Sequence, residues 1–367
     1  MLPEPEAEAL AASALLLQRI RAELKAGGNW TGFARYMELV LYEPGLGYYA
    51  GGSAKLGAPG DFATAPEMGT LFARTLGRQV ADLLQPGEAI LEFGAGSGAL
   101  AEALIAALKP ETYLILETSG ELRARQEARL GTRARWLERL PEKFRGVMIA
   151  NEVADSMPVH ALAWRANGIM ERGVGEIGGE LAWAERPASG ELLAAARRIE
   201  APVPYESEIG LVGRAWTKLL ATRLERGALL VIDYGFPQRE YYHPQRAEGT
   251  LMCHYRHRAH GDVFFHPGLQ DITAHVDFTA LAQAAREGGL EVLGYANQAH
   301  FLVNCGITEV LGSEDAADAA RYAPRAAEAH KLLSPAEMGE LFKVLAVGRG
   351  VSPPLLGFAR GDRSHTL

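Results

Sequence analysis

A glycine-rich loop carries the clearest chemical signal in this sequence. The apolar run Ala89–Phe93 predicts a short buried strand, and a helical repeat of leucines begins directly after Gly98. Between the strand and the helix stand Gly94, Ala95 and Gly96. Glycines in such a turn allow a ligand to approach the backbone closely, because no side chain stands in the way. We therefore predict that Gly94, Ala95, Gly96 and Gly98 bind a ligand.

The loop satisfies two ligand templates. Read from Glu92, it has the form E-x-G-x-G-x-G that is typical of S-adenosylmethionine sites; read from Gly94, it fits the dinucleotide pattern G-x-G-x-x-G/A. Glu117 ends the next predicted strand about 20 residues later, where an acid binds ribose hydroxyls in either cofactor. Glu92 favours S-adenosylmethionine, because its carboxylate attracts the ammonium group of that cofactor and would repel the pyrophosphate of a dinucleotide.

Length and composition describe a globular chain with an acidic balance. The chain has 367 residues, 48% of them hydrophobic, and a formal net charge of −8. This acidic balance argues against sequence-independent binding of nucleic acid, because such binding requires basic side chains that contact the phosphates. No apolar run approaches the roughly 18 residues that would cross a bilayer, so we expect no membrane insertion. Two cysteines and an acidic start without a cationic leader predict a cytoplasmic location.

Strands and helices alternate over the central part of the chain. Unbroken apolar runs predict the core strands, at residues 89–93, 113–117, 134–137, 147–152 and 228–235. Strands of this kind, separated by helices, indicate a parallel sheet that is covered on both faces. Near the end of the chain we predict a helix over 335–345 and a short strand over 355–359.

Two segments interrupt the alternation. Over 159–184, short apolar runs separated by Asn-Gly and Gly-Gly turns predict antiparallel hairpins. Residues 236–276 are polar and rich in histidine, and they predict an irregular excursion. We predict an N-terminal helical segment with a Gly-rich loop over residues 1–85 and a core over 86–360. Two insertions interrupt the core, at about 159–226 and about 236–276.

Five further stretches form an ordered series with the glycine loop. They are Tyr48-Tyr49, GDFATAPE at 60–67, NEVADSMPV at 151–159, IDYG at 232–235 and DITAHVDF at 271–278. In this order the stretches resemble the MidA family of S-adenosylmethionine-dependent methyltransferases, which includes the mitochondrial assembly factor of respiratory complex I. The resemblance runs from about residue 30 to 360. It departs at Ala154 and Met157, where the family commonly has a bulkier aromatic residue and a leucine.

The resemblance implies a fold, a cofactor and an activity. The implied fold is α/β, a Rossmann-like class I methyltransferase with a seven-stranded, mostly parallel sheet and additional α-helical and antiparallel β insertions. The implied activity is protein-arginine methylation of a complex I subunit, with S-adenosyl-L-methionine as cofactor. The residues that we predict to bind this cofactor are Thr64, Glu67, Glu92, Gly94, Ala95, Gly96, Gly98, Glu117 and Asn151.

An arginine acceptor would require carboxylates beside it, because the guanidinium is cationic with a pKa above about 12. Ligands of open α/β sheets bind outside the carboxyl ends of the strands. Glu152 and Asp155 follow the fourth predicted strand, and Asp233 ends the fifth. We predict that these three acids are catalytic. A structural alternative stays open, in which Asp155 caps a turn and Glu152 pairs with an arginine.

Two other functions also stay open at this point. An NAD-dependent oxidoreductase would bind NAD through the same loop, and a non-catalytic assembly chaperone would bind the cofactor without transferring a methyl group. Six of the ten histidines lie between His243 and His275, near Cys253. Spacing by threes around one cysteine is not a familiar zinc arrangement, so we predict no metal site.

Overall fold

The computed structural model describes residues 2–51, 64–313 and 318–367. Part of the predicted Gly-rich loop, including Gly60 and Asp61, lies outside these ranges. The N-terminal segment precedes the sheet and contains four helices and one short strand: α1 (Ala7–Ala26), β1 (Thr31–Gly32), α2 (Phe33–Tyr42), α3 (Ala65–Met68) and α4 (Leu71–Leu83). None of the helices within the described ranges has the length and apolar character that spanning a membrane requires.

The first half of the core alternates strands and helices as predicted. Its elements are β2 (Ala89–Phe93), α5 (Ala99–Leu108), β3 (Tyr113–Leu116), α6 (Gly120–Leu130), β4 (Arg135–Leu137) and β5 (Phe144–Asn151). The sequence marks the start of α6, because the Ser119 hydroxyl caps it by accepting a hydrogen bond from the Leu122 N–H at 3.3 Å.

Two insertions follow. The first contains β6 (His160–Arg165), β7 (Gly168–Ile177), β8 (Glu180–Pro187), α7 (Gly190–Ala196) and β9 (Tyr205–Ile209), and all its pairings are antiparallel. The chain then returns to the core with α8 (Leu211–Arg223) and β10 (Leu224–Phe236). The second insertion and its exit contain α9 (Gln238–Tyr241), β11 (Met252–Tyr255), β12 (Arg258–His260), β13 (Asp271–Thr273) and β14 (Val276–Asp277).

The last part of the chain completes the sheet. Its elements are α10 (Phe278–Glu287), β15 (Glu291–Asn297), α11 (Gln298–Asn304), α12 (Ile307–Gly312), α13 (Ala319–Leu333), α14 (Met338–Leu341) and β16 (Phe342–Arg349). Seven strands pair in the order β4-β3-β2-β5-β10-β16-β15, and β14 extends one end of β10. Only β16 runs antiparallel to its neighbours in this series. The predicted seven-stranded, mostly parallel sheet is therefore confirmed.

The core strands are apolar throughout because both faces of the sheet are buried. Ile90, Val147 and Leu230 belong to a cluster with helices α4, α5 and α11, while their chain neighbours Leu91 and Met148 belong to a second cluster with α8 and α10. Successive side chains of a strand point to opposite faces, so each strand must supply apolar residues in unbroken runs.

The N-terminal helices α1 and α2, strand β1 and the two insertions pack together as one cap, whereas α4 packs on the core sheet. Strand β1 pairs with β7 of the first insertion, with Thr31 opposite Val174. A third cluster joins Leu16 and Phe33 of the N-terminal helices to Val174 and to Ile272 of the second insertion. We call this assembly the cap; it stands over the carboxyl ends of the parallel strands.

Three expectations about local structure are wrong. Residues 342–349 form strand β16, not the end of a helix over 335–345, and residues 356–358 form a 3-10 turn rather than a strand. The excursion over 236–276 contains a three-stranded antiparallel sheet in the order β12-β11-β13. Residues 342–349 form a strand because they pair with the distant strands β10 and β15, and this pairing overrides the local sequence signal.

Candidate cofactor and acceptor site

A cavity of about 1110 Å³ lies between the ends of the core strands and the cap. The core contributes the glycine loop, the cap contributes residues such as Tyr42 and Asp271, and the C-terminal region contributes Phe342. Ligand cavities typically measure about 300–1,000 Å³. The space therefore suffices for a cofactor together with part of a second substrate.

The glycine loop has backbone dihedral angles that residues with a side chain rarely adopt. Gly94, Gly96 and Gly98 have φ angles of +57°, +54° and +81°. A Cβ at Gly94 would also stand 3.2 Å from Val153 Cγ2. Gly94, Ala95 and Gly96 line the cavity. Gly98 does not line it and is the N-cap of α5. The loop thus presents backbone rather than side chains to a ligand.

We expect Gly94→Ala to raise the dissociation constant for S-adenosylhomocysteine by ~10-fold or more, because the added Cβ strains a positive-φ backbone and crowds Val153 Cγ2 at 3.2 Å. Gly178→Ala is the matched control: Gly178 also has a positive φ, +63°, but a Cβ there meets nothing within 4 Å. Calorimetric titration of both variants checks this. Equal affinities in the two variants would contradict a ligand role for the loop.

Glu117 projects from the end of β3 and lines the cavity. Its Oε1 accepts the Ser119 N–H at 2.9 Å and its Oε2 accepts the Gln126 amide N–H at 2.9 Å. Burial raises the pKa of Glu117, while these hydrogen bonds oppose that rise. A carboxylate held in this way retains free lone pairs, which can accept hydrogen bonds from ribose hydroxyls.

Glu92 lies on β2 at the floor of the cavity and is only 3% exposed. It accepts a hydrogen bond from the Tyr113 hydroxyl at 2.6 Å. Burial raises the pKa of Glu92 to about 7. This group is therefore poised to gain or lose a proton near neutral pH when a charged ligand group approaches it.

Helix α3 lies against the glycine loop. The Ser97 hydroxyl donates a hydrogen bond to Glu67, and Arg129 donates one to the Ser97 oxygen at 2.7 Å. Thr64, which precedes the helix, lines the same cavity. Glu67 and Thr64 thus stand beside the predicted cofactor loop, and Glu67 contacts it through Ser97.

The acidic part of the cavity is built on the turn after β5. Asn151, Glu152 and Asp155 all line the cavity, and Glu152 has a positive φ of 55°. Asn151 donates to Glu152 at 3.2 Å, while the buried Asn151 Oδ1 accepts no hydrogen bond within the described part of the chain. An orphaned buried acceptor of this kind fits a ligand ammonium group.

The two acids of this turn have altered protonation equilibria. Burial, with a smaller effect from Asp155, raises the pKa of Glu152 to about 7. Burial also raises the pKa of Asp155 to about 6, although the Tyr234 hydroxyl donates a hydrogen bond to it. The described partners of Glu152 are the Asn151 amide and the Ala65 N–H. No arginine is among these described partners.

Asp233 occupies a different position from the other two predicted catalytic acids. It is 0% exposed and is not among the residues that line the cavity. Its carboxylate accepts four backbone N–H groups, from Val153, Ala154, Asp155 and Tyr234, at 2.9–3.2 Å. The geometry gives Asp233 the role of holding the acidic turn in place, rather than contact with a substrate.

Two tyrosines and one further acid complete the acceptor side of the cavity. The rings of Tyr42 and Tyr49 stack with centroids 5.5 Å apart. The Tyr49 hydroxyl donates to Asp271 at 2.9 Å, and the Tyr42 hydroxyl donates to the Ser156 backbone oxygen at 2.9 Å. Sequence reasoning found Tyr49 and Asp271 within its motifs but gave them no role, because only the fold brings the cap beside the acidic turn.

Three histidines of the two insertions, His160, His254 and His275, line the cavity. His275 lies against Tyr234 and Phe236, and burial lowers its pKa to about 4, so the ring is neutral. His160 contacts Glu171 at 3.1 Å. Within the described ranges, no group of three or more His, Cys, Asp or Glu side chains is arranged to hold a metal ion.

Comparison with known proteins decides which ligand template applies. Residues 71–296 match the model of a family described as putative S-adenosyl-L-methionine-dependent methyltransferases. This chain belongs to that family. A crystal structure from Burkholderia thailandensis, bound to S-adenosyl-homocysteine, is 48% identical, covers 100% of both chains and has a TM-score of 0.94. The resemblance to the MidA family is therefore confirmed, and the protein is an S-adenosylmethionine-dependent methyltransferase rather than an NAD-dependent oxidoreductase.

Curated relatives add a named activity. The mitochondrial protein arginine methyltransferase NDUFAF7 of Danio rerio is 28% identical and covers 90% of this chain and 86% of its own length. A homologue from Drosophila melanogaster is 27% identical and covers 97% of this chain. The predicted cytoplasmic location is wrong by this comparison, since the relatives are named as mitochondrial proteins. A low cysteine count fits any reducing compartment, so it could not distinguish between them.

The site of this methyltransferase fits its cofactor. Three groups along one cavity suit this cofactor. The positive-φ glycine loop exposes backbone, the Glu117 carboxylate can accept hydrogen bonds from ribose hydroxyls, and the unsatisfied Asn151 Oδ1 can accept one from an ammonium group. S-adenosylmethionine, when bound, supplies an electrophilic methyl group on a sulfonium centre.

Proposed function

We propose that this methyltransferase modifies arginine side chains of a protein, with a subunit of respiratory complex I as its acceptor. The observation that carries the proposal is a cluster of three carboxylates beside the predicted cofactor loop: the half-buried Glu152 and the buried Asp155 and Asp271 all line one cavity. A cationic guanidinium is the acceptor side chain that such a cluster binds most favourably. The relatives are named as protein arginine methyltransferases, which supports the same acceptor class.

In this account Glu152 and Asp155 hold the guanidinium and neutralise its charge as it meets the positively charged cofactor. A bidentate carboxylate fixes the plane of the guanidinium and so aligns one nitrogen for displacement. Glu152 then accepts the proton that this nitrogen must lose, and its raised pKa makes it a stronger base than an ordinary carboxylate.

The groups around these two acids keep them in position. Asp233 fixes the backbone of the turn from below, and the Tyr234 hydroxyl fixes Asp155. Tyr42 and Tyr49 of the cap line the same cavity, so a bound acceptor displaces water from between them and the acidic turn. Asn151 lies next to Glu152 in the chain, so the methionine end of the cofactor and the acceptor meet at this turn.

The pH dependence of transfer tests the proton acceptor. A carboxyl is protonated below its pKa and then accepts no proton, so kcat/KM for the protein acceptor should rise with pH. We expect the rise to be centred near pH 7 in the wild-type protein, because the pKa of Glu152 is raised to about 7. A profile that stays flat between pH 6 and pH 8 would remove Glu152 from proton transfer.

Methylation of purified complex I subunits tests the acceptor directly. The protein is incubated with each subunit and with S-adenosylmethionine that carries a labelled methyl group, and mass spectrometry locates the label. We expect label on arginine nitrogens of one subunit, and none when its arginine is replaced by lysine. Label on another residue type would overturn the arginine assignment, and labelling of no subunit would overturn the proposed partner.

A further inference from the structure

Gln126 connects the two cofactor-binding turns of the core. This residue of α6 is 0% exposed. Its amide nitrogen donates one hydrogen bond to the Gly96 carbonyl oxygen at 2.9 Å and another to Glu117 Oε2 at 2.9 Å. Its amide oxygen accepts the indole N–H of Trp136 at 2.9 Å. One side chain therefore joins the glycine loop after β2 to the acid after β3.

The bonding pattern fixes the orientation of the amide. Both N–H groups of Gln126 point to acceptors, and Trp136, which is a donor only, can bond only to the amide oxygen. The amide cannot be flipped without losing all three hydrogen bonds. Gln126 is not among the residues that line the cavity, so any influence on a ligand passes through Glu117 and Gly96.

We propose that Gln126 is a positioning residue that holds Glu117 and the glycine loop in the arrangement that binds S-adenosylmethionine. Without the amide, the Glu117 carboxylate is free to rotate, and the ligand must order it on binding. Loss of a hydrogen bond to an ionised group is also costly in a buried site. This inference rests on the cofactor of the family and is independent of the acceptor that the protein methylates.

The test compares two buried glutamines. Gln126→Met keeps the length of the side chain and removes both donors. Gln79→Met is the matched control, since Gln79 is also 0% exposed on a helix and accepts the Gly357 N–H at 2.7 Å, but lies outside the cavity lining. Calorimetric titration with S-adenosylhomocysteine gives the dissociation constant, and thermal unfolding reports stability separately.

We expect both variants to lose thermal stability, and only Gln126→Met to bind S-adenosylhomocysteine ~10-fold or more weakly. Trp136→Phe leaves both donors of Gln126 in place and should bind within about threefold of wild type. If Gln126→Met fails to fold, Gln126→Glu replaces it, since a glutamate there accepts from Trp136 but repels Glu117. Affinity equal to that of the Gln79→Met control would overturn the proposal.

Discussion

Replacing Glu152 by glutamine is expected to lower kcat for methyl transfer by about 10³-fold, while S-adenosylhomocysteine still binds within a few-fold of wild type. Glutamine keeps the size of the side chain but cannot accept the proton that the acceptor nitrogen must lose. The Asn151 amide and the cofactor loop remain in place, so the ground-state cofactor complex is preserved. Single-turnover transfer from labelled S-adenosylmethionine and a parallel titration measure the two quantities separately.

Glu208→Gln provides the matched control for this variant. Glu208 is 3% exposed, at least as buried as Asp155 of the site, and it accepts hydrogen bonds from the Thr250 N–H and hydroxyl, each at 2.9 Å. It does not line the cavity, so its loss should change stability but not kcat. If Glu152→Gln retained wild-type turnover, the base would have to be another group.

The second large effect is expected for Asp233→Ala, which should destabilise the protein by roughly 3 kcal/mol or more and abolish transfer. The substitution leaves four backbone N–H groups without their acceptor, three of them in the turn that carries Asp155. A buried donor without a partner costs about 1–3 kcal/mol, and the turn relieves part of that cost by rearranging. Denaturant unfolding and transfer assays check both effects.

Asp277→Ala separates the loss of an ordinary helix cap from the loss of the four N–H hydrogen bonds that Asp233 accepts. Asp277 caps α10 and accepts the Ala280 N–H at 3.0 Å, and the loss of such a cap typically costs about 1 kcal/mol. A destabilisation of Asp233→Ala no larger than that of Asp277→Ala would show that the turn does not depend on Asp233.

The sequence predicted the parts of the fold that local patterns determine. The strand over 89–93, the glycine loop and the Ser119 cap are set by neighbouring residues, and the doubly buried strands require unbroken apolar runs. The first insertion was predictable as well, because turn residues separate its hairpins. These signals act over a few residues, and tertiary packing reinforces them.

The parts that were not predicted depend on distant residues. Residues 342–349 include good helix formers, but pairing of Val344 with Ile232 makes them a strand. The sequence placed Asp233 at the end of a strand correctly, and only the packed structure shows that its carboxylate faces four N–H groups. Gln126 carried no sequence signal, since its three partners lie 30, 9 and 10 residues away.

A crystal structure with S-adenosylhomocysteine and an arginine-containing peptide tests the central claim most directly. The measured quantity is the distance from the guanidinium nitrogens to the nearest carboxylate oxygens. We expect both Glu152 and Asp155 to lie within hydrogen-bond distance of the guanidinium, with the thioether beside Asn151. A guanidinium bound elsewhere, with both acids facing only protein or water, would contradict the account.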